Sequence, residues 1–140
     1  MEDPKNFIIV IFGASGDLAS RKLIPAIFSL KSQKLMPERY AILGVGRTIM
    51  STEEFRKKMS EAIVSFSEEK EADKNLIESF TEDLYYLSMD YSGMDMPWHV
   101  PTFLQEIDEK YGIGGNYIFY IATPPSMYEI IAVNLAKTGL

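Results

Sequence analysis

FIIVIFGASGDLASRKL, residues 7–23, runs from an unbroken apolar stretch through a small-residue turn into a helical pattern. Phe7-Ile8-Ile9-Val10-Ile11-Phe12 is β-branched and aromatic throughout, the pattern of a strand buried on both faces of a parallel sheet. Gly13, Gly16 and Ala19 follow at spacing G-x-x-G-x-x-A. In a turn of this kind the first small residue permits the sharp exit from the strand. The second lets a pyrophosphate approach the backbone, and the third lets helix and strand pack closely. The following helix would offer unpaired N–H groups and a positive dipole end. Ser15 could add a hydroxyl donor, and Arg21 and Lys22 could act as cationic partners a turn further on. The spacing alone also suits a tight strand-to-helix bend that holds no ligand. A Walker A loop is excluded, because it needs four residues between its glycines and then Lys-Ser/Thr.

Outward from this segment, Leu18, Leu23, Ile27 and Leu30 recur at helical spacing over residues 18–33, with Ile24 and Phe28 widening the stripe. Pro25 interrupts the pattern, so either a short first turn precedes it or the helix kinks there. Residues 40–45 read as a second buried strand. Ser51-Thr52-Glu53-Glu54 is a capping box opening a helix with Phe55, Met59, Ala62, Ile63 and Phe66 on one side. Residues 67–75 are charged and polar, a solvated linker or helix start, before a short helix marked by Leu76, Ile77 and Phe80. Residues 83–88 form a third strand candidate. Residues 92–101, with Gly93, Pro97 and Pro101, read as an irregular connection. A helix over 102–110 turns Phe103, Leu104 and Ile107 inward and ends at Gly112, Gly114 and Gly115. Residues 116–122 form the fourth strand, and a last helix covers about 126–137.

Strands alternating with helices predict right-handed βαβ units on a parallel sheet. The expected fold is α/β: a Rossmann-type doubly wound parallel sheet, three-layer αβα, with at least four strands in order 3-2-1-4. Residues 1–140 are expected to form one dinucleotide-binding domain. This order sets the first strand beside the fourth at the topological switch point, where ligands bind in such sheets.

Composition narrows the function. A net charge of −6 argues against a general nucleic-acid binder but leaves room for an anionic small ligand. The absence of cysteine excludes disulfides and thiolate metal sites. Glu68-Glu69-Lys70-Glu71 is a solvated charged face rather than a metal site, and the methionines are core filler and surface positions. No apolar run is long enough to span a bilayer, and Met1-Glu2-Asp3-Pro4-Lys5 is no secretory n-region. These features fit a cytoplasmic protein. His99, the single histidine, shows no orienting partner and reads as a structural or surface residue.

The end of the second strand chooses between dinucleotides. An NAD site places Asp or Glu there to accept from the ribose 2′-hydroxyl. Here the chain reads Gly44-Val45-Gly46-Arg47-Thr48, with no acid. Arg47 can hold a 2′-phosphate through its fork of donors, helped by Thr48 or Ser51, which favours NADP. A solvated surface arginine is the alternative for Arg47.

Gly13-Ala14-Ser15-Gly16-Asp17-Leu18-Ala19, followed by Arg21-Lys22-Leu23 and Pro25, resembles the N-terminal signature of glucose-6-phosphate dehydrogenases. Residues 42–47 resemble that family's second strand with its adenosine-phosphate arginine. Residues 115–125, with their Asn-x-x-Phe-Tyr and Pro-Pro pattern, resemble its fourth strand. The resemblance implies hydride transfer from glucose 6-phosphate to NADP, giving 6-phosphogluconolactone and NADPH in the oxidative pentose phosphate pathway. It implies a loop of Gly13, Ala14, Ser15, Gly16, Asp17, Leu18, Ala19 and Ser20 around the dinucleotide, with Arg47 on the 2′-phosphate. Lys22 then lies near the cofactor and substrate, Tyr128 lines the nicotinamide side, and Asp90 and Tyr91 adjoin the cofactor. The family's Arg-Ile-Asp-His-Tyr and Glu-Lys-Pro motifs do not occur in these 140 residues. The resemblance puts them, the α+β catalytic domain and the oligomer interface beyond Leu140. The chain by itself is therefore expected to be inactive, and the full-length enzyme to be a homo-oligomer with no nucleic-acid or membrane partner. Short-chain reductases and epimerases share the glycine spacing. They use a Tyr-x-x-x-Lys pair, however, and Tyr128 is followed four residues later by Ala132. A stand-alone NADP-binding module is the third reading.

Overall fold

The apolar run becomes β1 (Phe7–Phe12), paired in parallel on both sides, with β2 (Tyr40–Gly46) and with β4 (Tyr117–Ile121). Val10 stands opposite Leu43 on one side and Phe119 on the other. β3 (Leu84–Ser88) extends the sheet beyond β2, giving the order β3-β2-β1-β4. This is the computed structural model of the chain, and it describes residues 5–67, 73–89 and 96–138.

Because successive side chains of a strand point to opposite faces, the apolar run feeds two cores. Ile11 and Ile42 face one core with residues of α1 (Ile24–Ser32), α2 (Thr52–Phe66) and α3 (Lys74–Thr81). Ile8, Val10, Phe12, Leu43 and Val45 face the other, under α4 (Met96–Tyr111) and α5 (Tyr128–Thr138). The three-layer αβα architecture follows. β2 is buried along its whole length, as a central parallel strand must be.

The capping box forms as its residues predict: Ser51 Oγ accepts from the Glu54 N–H at 3.1 Å, and Glu54 Oε1 accepts from the Ser51 N–H at 3.3 Å. Pro25 is accommodated by a π-helical turn, Ala19–Leu23, in which the Ile24 N–H reaches the Ala19 carbonyl. Widening the turn makes room for a ring that would otherwise press on the carbonyl of the preceding turn.

Several expectations are corrected. Leu18 and Leu30, read as part of the buried stripe, are exposed at 46% and 41%. Phe66, read as core, is 42% exposed and carries the Arg21 guanidinium 5.0 Å above its ring. The connection read over 92–101 is helical from Met96, so Pro101 lies inside α4. Pro97 falls in the first turn, where no N–H partner is required. Burial of Val100, Leu104 and Ile107 against the sheet offsets the one bond lost at Pro101. The last helix begins with a 3-10 turn, Pro125–Met127, before α5.

Among the described residues, no helix is long and apolar enough to cross a membrane. On β4, Ile118 and Tyr120 are 47% and 44% exposed, so the sheet face opposite α5 is uncovered there.

Candidate functional site

The turn after β1 is shaped by what it must avoid. Gly13 has φ +87°, a conformation that side-chain-bearing residues rarely adopt. A Cβ there would stand 2.8 Å from the Ala122 carbonyl oxygen and 3.0 Å from Thr123 Cγ2. The Gly13 and Ala14 N–H groups both donate to the Val45 carbonyl, at 2.9 and 3.1 Å, locking the turn onto the end of β2. The Gly16 N–H closes it on the Gly13 carbonyl at 3.0 Å. Ala14 and Ala19 are buried in the first core, so Ala19 has the close-packing role expected of it. The Ser20 N–H donates to the Gly16 carbonyl at 3.4 Å, which starts the helical ladder and leaves the N–H groups of Asp17 and Leu18 ahead of it.

The turn forms one wall of a cleft of about 260 Å³ at the carboxyl ends of the strands. Gly13, Ser15 and Gly16 line it on one side, and Ala122, Thr123, Pro124, Ser126 and Met127 on the side following β4. Arg47 completes the lining from the loop after β2, with its side chain exposed. The sequence-predicted glycine turn and arginine thus meet in one cleft, at the switch point between β1 and β4.

Two glycines of β2 make this possible. A Cβ on Gly44 would strike Ala14 Cβ at 2.8 Å and the Phe55 ring at 2.9 Å. A Cβ on Gly46 would stand 2.5 Å from the Tyr86 hydroxyl and 2.7 Å from Ser15 Oγ. The Tyr86 hydroxyl donates to the Thr48 carbonyl at 2.6 Å. Burial raises its pKa, and a hydrogen bond with Ser15 opposes that rise. Lys58, on α2, reaches the Ser15 carbonyl with Nζ at 3.5 Å.

The remaining predicted residues are spread more widely. Lys22 lines a separate cleft with Arg21, Pro25, Ala26, Ser29 and, from the end of α2, Phe66. Arg21 is engaged with Phe66 and lies 4.0 Å from Asp17, in an exposed pair. Tyr128 is exposed at the start of α5, just beyond the turn that lines the main cleft. Ser51 caps α2, while Thr48 is exposed beside Arg47. His99 is exposed on α4. Asp90 and Tyr91 lie outside the described residues, as does the charged run at residues 68–71.

Sequence reasoning missed Tyr86, Lys58 and Thr123. Tyr86 reads as one more apolar strand residue, and Lys58 as one more surface cation. Only the parallel pairing of β3 with β2, which sets Tyr86 opposite Gly44 and brings its hydroxyl to the Thr48 carbonyl, joins Tyr86 to the site. Thr123 stands next to the Pro124-Pro125 pair, and that position was the one signal in the sequence; among the described residues it is one of the few buried polar ones.

Residues 10–140 match the family model described as "Glucose-6-phosphate dehydrogenase, NAD binding domain". The glucose-6-phosphate 1-dehydrogenase of Treponema pallidum (strain Nichols) is 43% identical over 133 residues, covering 95% of this chain and 26% of that protein. The Bacillus subtilis (strain 168) protein of the same name is 36% identical, with the same coverage of each chain. The chain spans about a quarter of the length of these relatives. A solved structure described as glucose-6-phosphate dehydrogenase in complex with its substrate glucose-6-phosphate superposes with a TM-score of 0.86. It is 24% identical and covers 99% of this chain and 28% of its own, a likeness of fold. The glucose-6-phosphate 1-dehydrogenase from Mycobacterium avium gives a TM-score of 0.74 at 27% identity, covering 98% of this chain and 28% of its own.

Proposed function

The chain belongs to the glucose-6-phosphate dehydrogenase NAD-binding-domain family, whose cofactor is a nicotinamide dinucleotide, and on that premise we propose that it binds NADP in the cleft between Gly13 and Arg47. The observation that carries this reading is the meeting of the glycine turn and Arg47 in one cleft, with no carboxylate at the end of β2. The turn fits a close-lying diphosphate: at Gly13 a Cβ would fill the space beside Ala122, and Gly16 is exposed toward the cleft. Residues Gly13 to Ser20 would hold the diphosphate, chiefly through backbone N–H groups at the helix start. Arg47 would grip the 2′-phosphate, with Ser15 donating from the opposite side. When bound, NADP supplies the hydride acceptor. Tyr128 would border the nicotinamide end, and Lys22 would offer a cation near the substrate. Asp90 and Tyr91 are carried in the proposal on resemblance alone.

For the whole protein, the proposed reaction is oxidation of glucose 6-phosphate to 6-phosphogluconolactone, in a cytoplasmic homo-oligomer. The groups that take the substrate's proton would be supplied by a catalytic domain outside residues 1–140, so the 140-residue chain should not turn over glucose 6-phosphate. Titration calorimetry with NADP and NAD tests the binding reading. Arg47→Ala is expected to weaken NADP by ten- to a hundredfold, the weight of one or two charge-assisted hydrogen bonds, and to leave NAD nearly unchanged. Equal loss for both dinucleotides would refute the 2′-phosphate role.

A further inference from the structure

We infer that Tyr86 is a positioning residue that ties the glycine turn to the arginine-bearing loop, so that Ser15 and Arg47 converge on one phosphate group. The inference rests on the NADP reading above. Tyr86 is buried on β3, next to β2 in the sheet, and is not among the residues that line the cleft. Its one proton is committed to the Thr48 carbonyl at 2.6 Å. With that proton committed, the Ser15 hydroxyl, which faces the same oxygen across Gly46, is placed to donate toward it. Gly46 is the space that lets these oxygens approach, since a Cβ there would meet both within 2.7 Å.

The tyrosine is itself held firmly. Its ring stacks on Phe55 with centroids 4.9 Å apart, and its N–H donates to Thr52 Oγ1 at 3.2 Å. The hydroxyl is thus a fixed point beside both the glycine turn and the arginine-bearing loop. Thr48 directly follows Arg47, so holding its carbonyl fixes the backbone from which the arginine extends. Ordering an exposed arginine costs rotamer freedom, and a fixed root reduces what remains to be ordered on binding. On phosphate binding the Ser15 hydroxyl turns its proton from Tyr86 to a phosphate oxygen, while the Tyr86–Thr48 bond stays in place. NAD, lacking that phosphate, gains nothing from the arrangement.

The test is titration of the 140-residue chain with NADP and with NAD, in the wild type, Tyr86→Phe, Arg47→Ala and the double variant. Phenylalanine keeps the stack on Phe55, and thermal unfolding verifies that the variant folds. Tyr86→Phe is expected to weaken NADP roughly three- to tenfold, the range of one hydrogen bond, and to change NAD less than about twofold on the same scale. Because Tyr86 acts through Arg47, adding Tyr86→Phe to Arg47→Ala should cost little more. Gly46→Ala, which displaces the same two oxygens from the other side, should shift the NADP:NAD ratio in the same direction. An unchanged ratio in Tyr86→Phe, while Arg47→Ala abolishes the NADP preference, would overturn the inference and leave the NADP reading standing. Equal weakening of both dinucleotides would also overturn it, as a merely structural effect. If Arg47→Ala itself left the ratio unchanged, the NADP reading would fall and the role of Tyr86 with it.

Discussion

Gly13 satisfies two demands that no other residue meets together: a φ of +87°, and a carbonyl oxygen 2.8 Å from where a Cβ would stand. Gly13→Ala is expected to destabilise the chain by about 2–4 kcal/mol, from left-handed strain plus the clash with Ala122. Urea unfolding would measure that loss, and dinucleotide titration should show weaker binding of NADP and NAD alike. At this scale the sequence is informative where the signal is local. Gly13 and Arg47 each sit at the end of a strand, and their neighbours announce the geometry. Tyr86 does not announce itself, because its partner Thr48 and the Ser15 hydroxyl across Gly46 come from two other segments of the chain. Phe66 misleads for a related reason. Periodicity carries the buried face to the end of α2, while the side chain is exposed beside Arg21.

Among the elements, the corner from α4 to β4 depends on one carboxylate. Asp108 Oδ1 accepts from the Gly114 N–H and Oδ2 from the Gly115 N–H, both at 2.8 Å, and Oδ2 also accepts from the Tyr117 hydroxyl at 2.6 Å. Gly114 and Gly115 have φ of +79° and +86°, so this corner needs glycine for its backbone. Burial alone would raise the Asp108 pKa, but the hydrogen bonds from Tyr117, Gly114, Gly115 and Ile113 outweigh it and hold the carboxyl below its usual value. The same pairing pushes the Tyr117 hydroxyl up to about 12, with burial the larger cause. A depressed carboxyl stabilises the fold fully above its unfolded pKa of about 3.9 and loses that contribution as pH falls toward the folded value. Asp108→Asn is therefore expected to cost about 1–3 kcal/mol at neutral pH and to flatten the acid limb of stability. Thermal unfolding from pH 7 to pH 3 checks both parts, and an acid limb as steep as wild type would contradict the account. The glycines of this corner were legible as a stop signal, whereas the carboxylate clasp was not. The start of α4 escaped for the opposite reason: Pro97 and Pro101 argue locally against a helix, and the burial of Val100 and Leu104 against the sheet overrides them.

For the molecule as a whole, the strand order β3-β2-β1-β4 was legible because right-handed crossovers leave few ways to arrange four apolar strands. The cleft follows from that order, since β1 and β4 lead their chains in opposite directions from the same place. The uncovered face of β4 was less legible, because Ile118 and Tyr120 read like any buried strand residues. Replacing both with threonine should change unfolding free energy by no more than about 1 kcal/mol, as at ordinary surface positions. A loss of several kcal/mol on thermal unfolding would mean that this face is packed. The central claim is that the glycine turn and Arg47 together form a site for the phosphorylated dinucleotide. It is tested most directly by calorimetric titration of the 140-residue chain with NADP and NAD side by side, in wild type and Arg47→Ala. The account predicts tighter binding of NADP by the wild type and loss of that preference in the variant. An NADP:NAD ratio that Arg47→Ala leaves unchanged would contradict it.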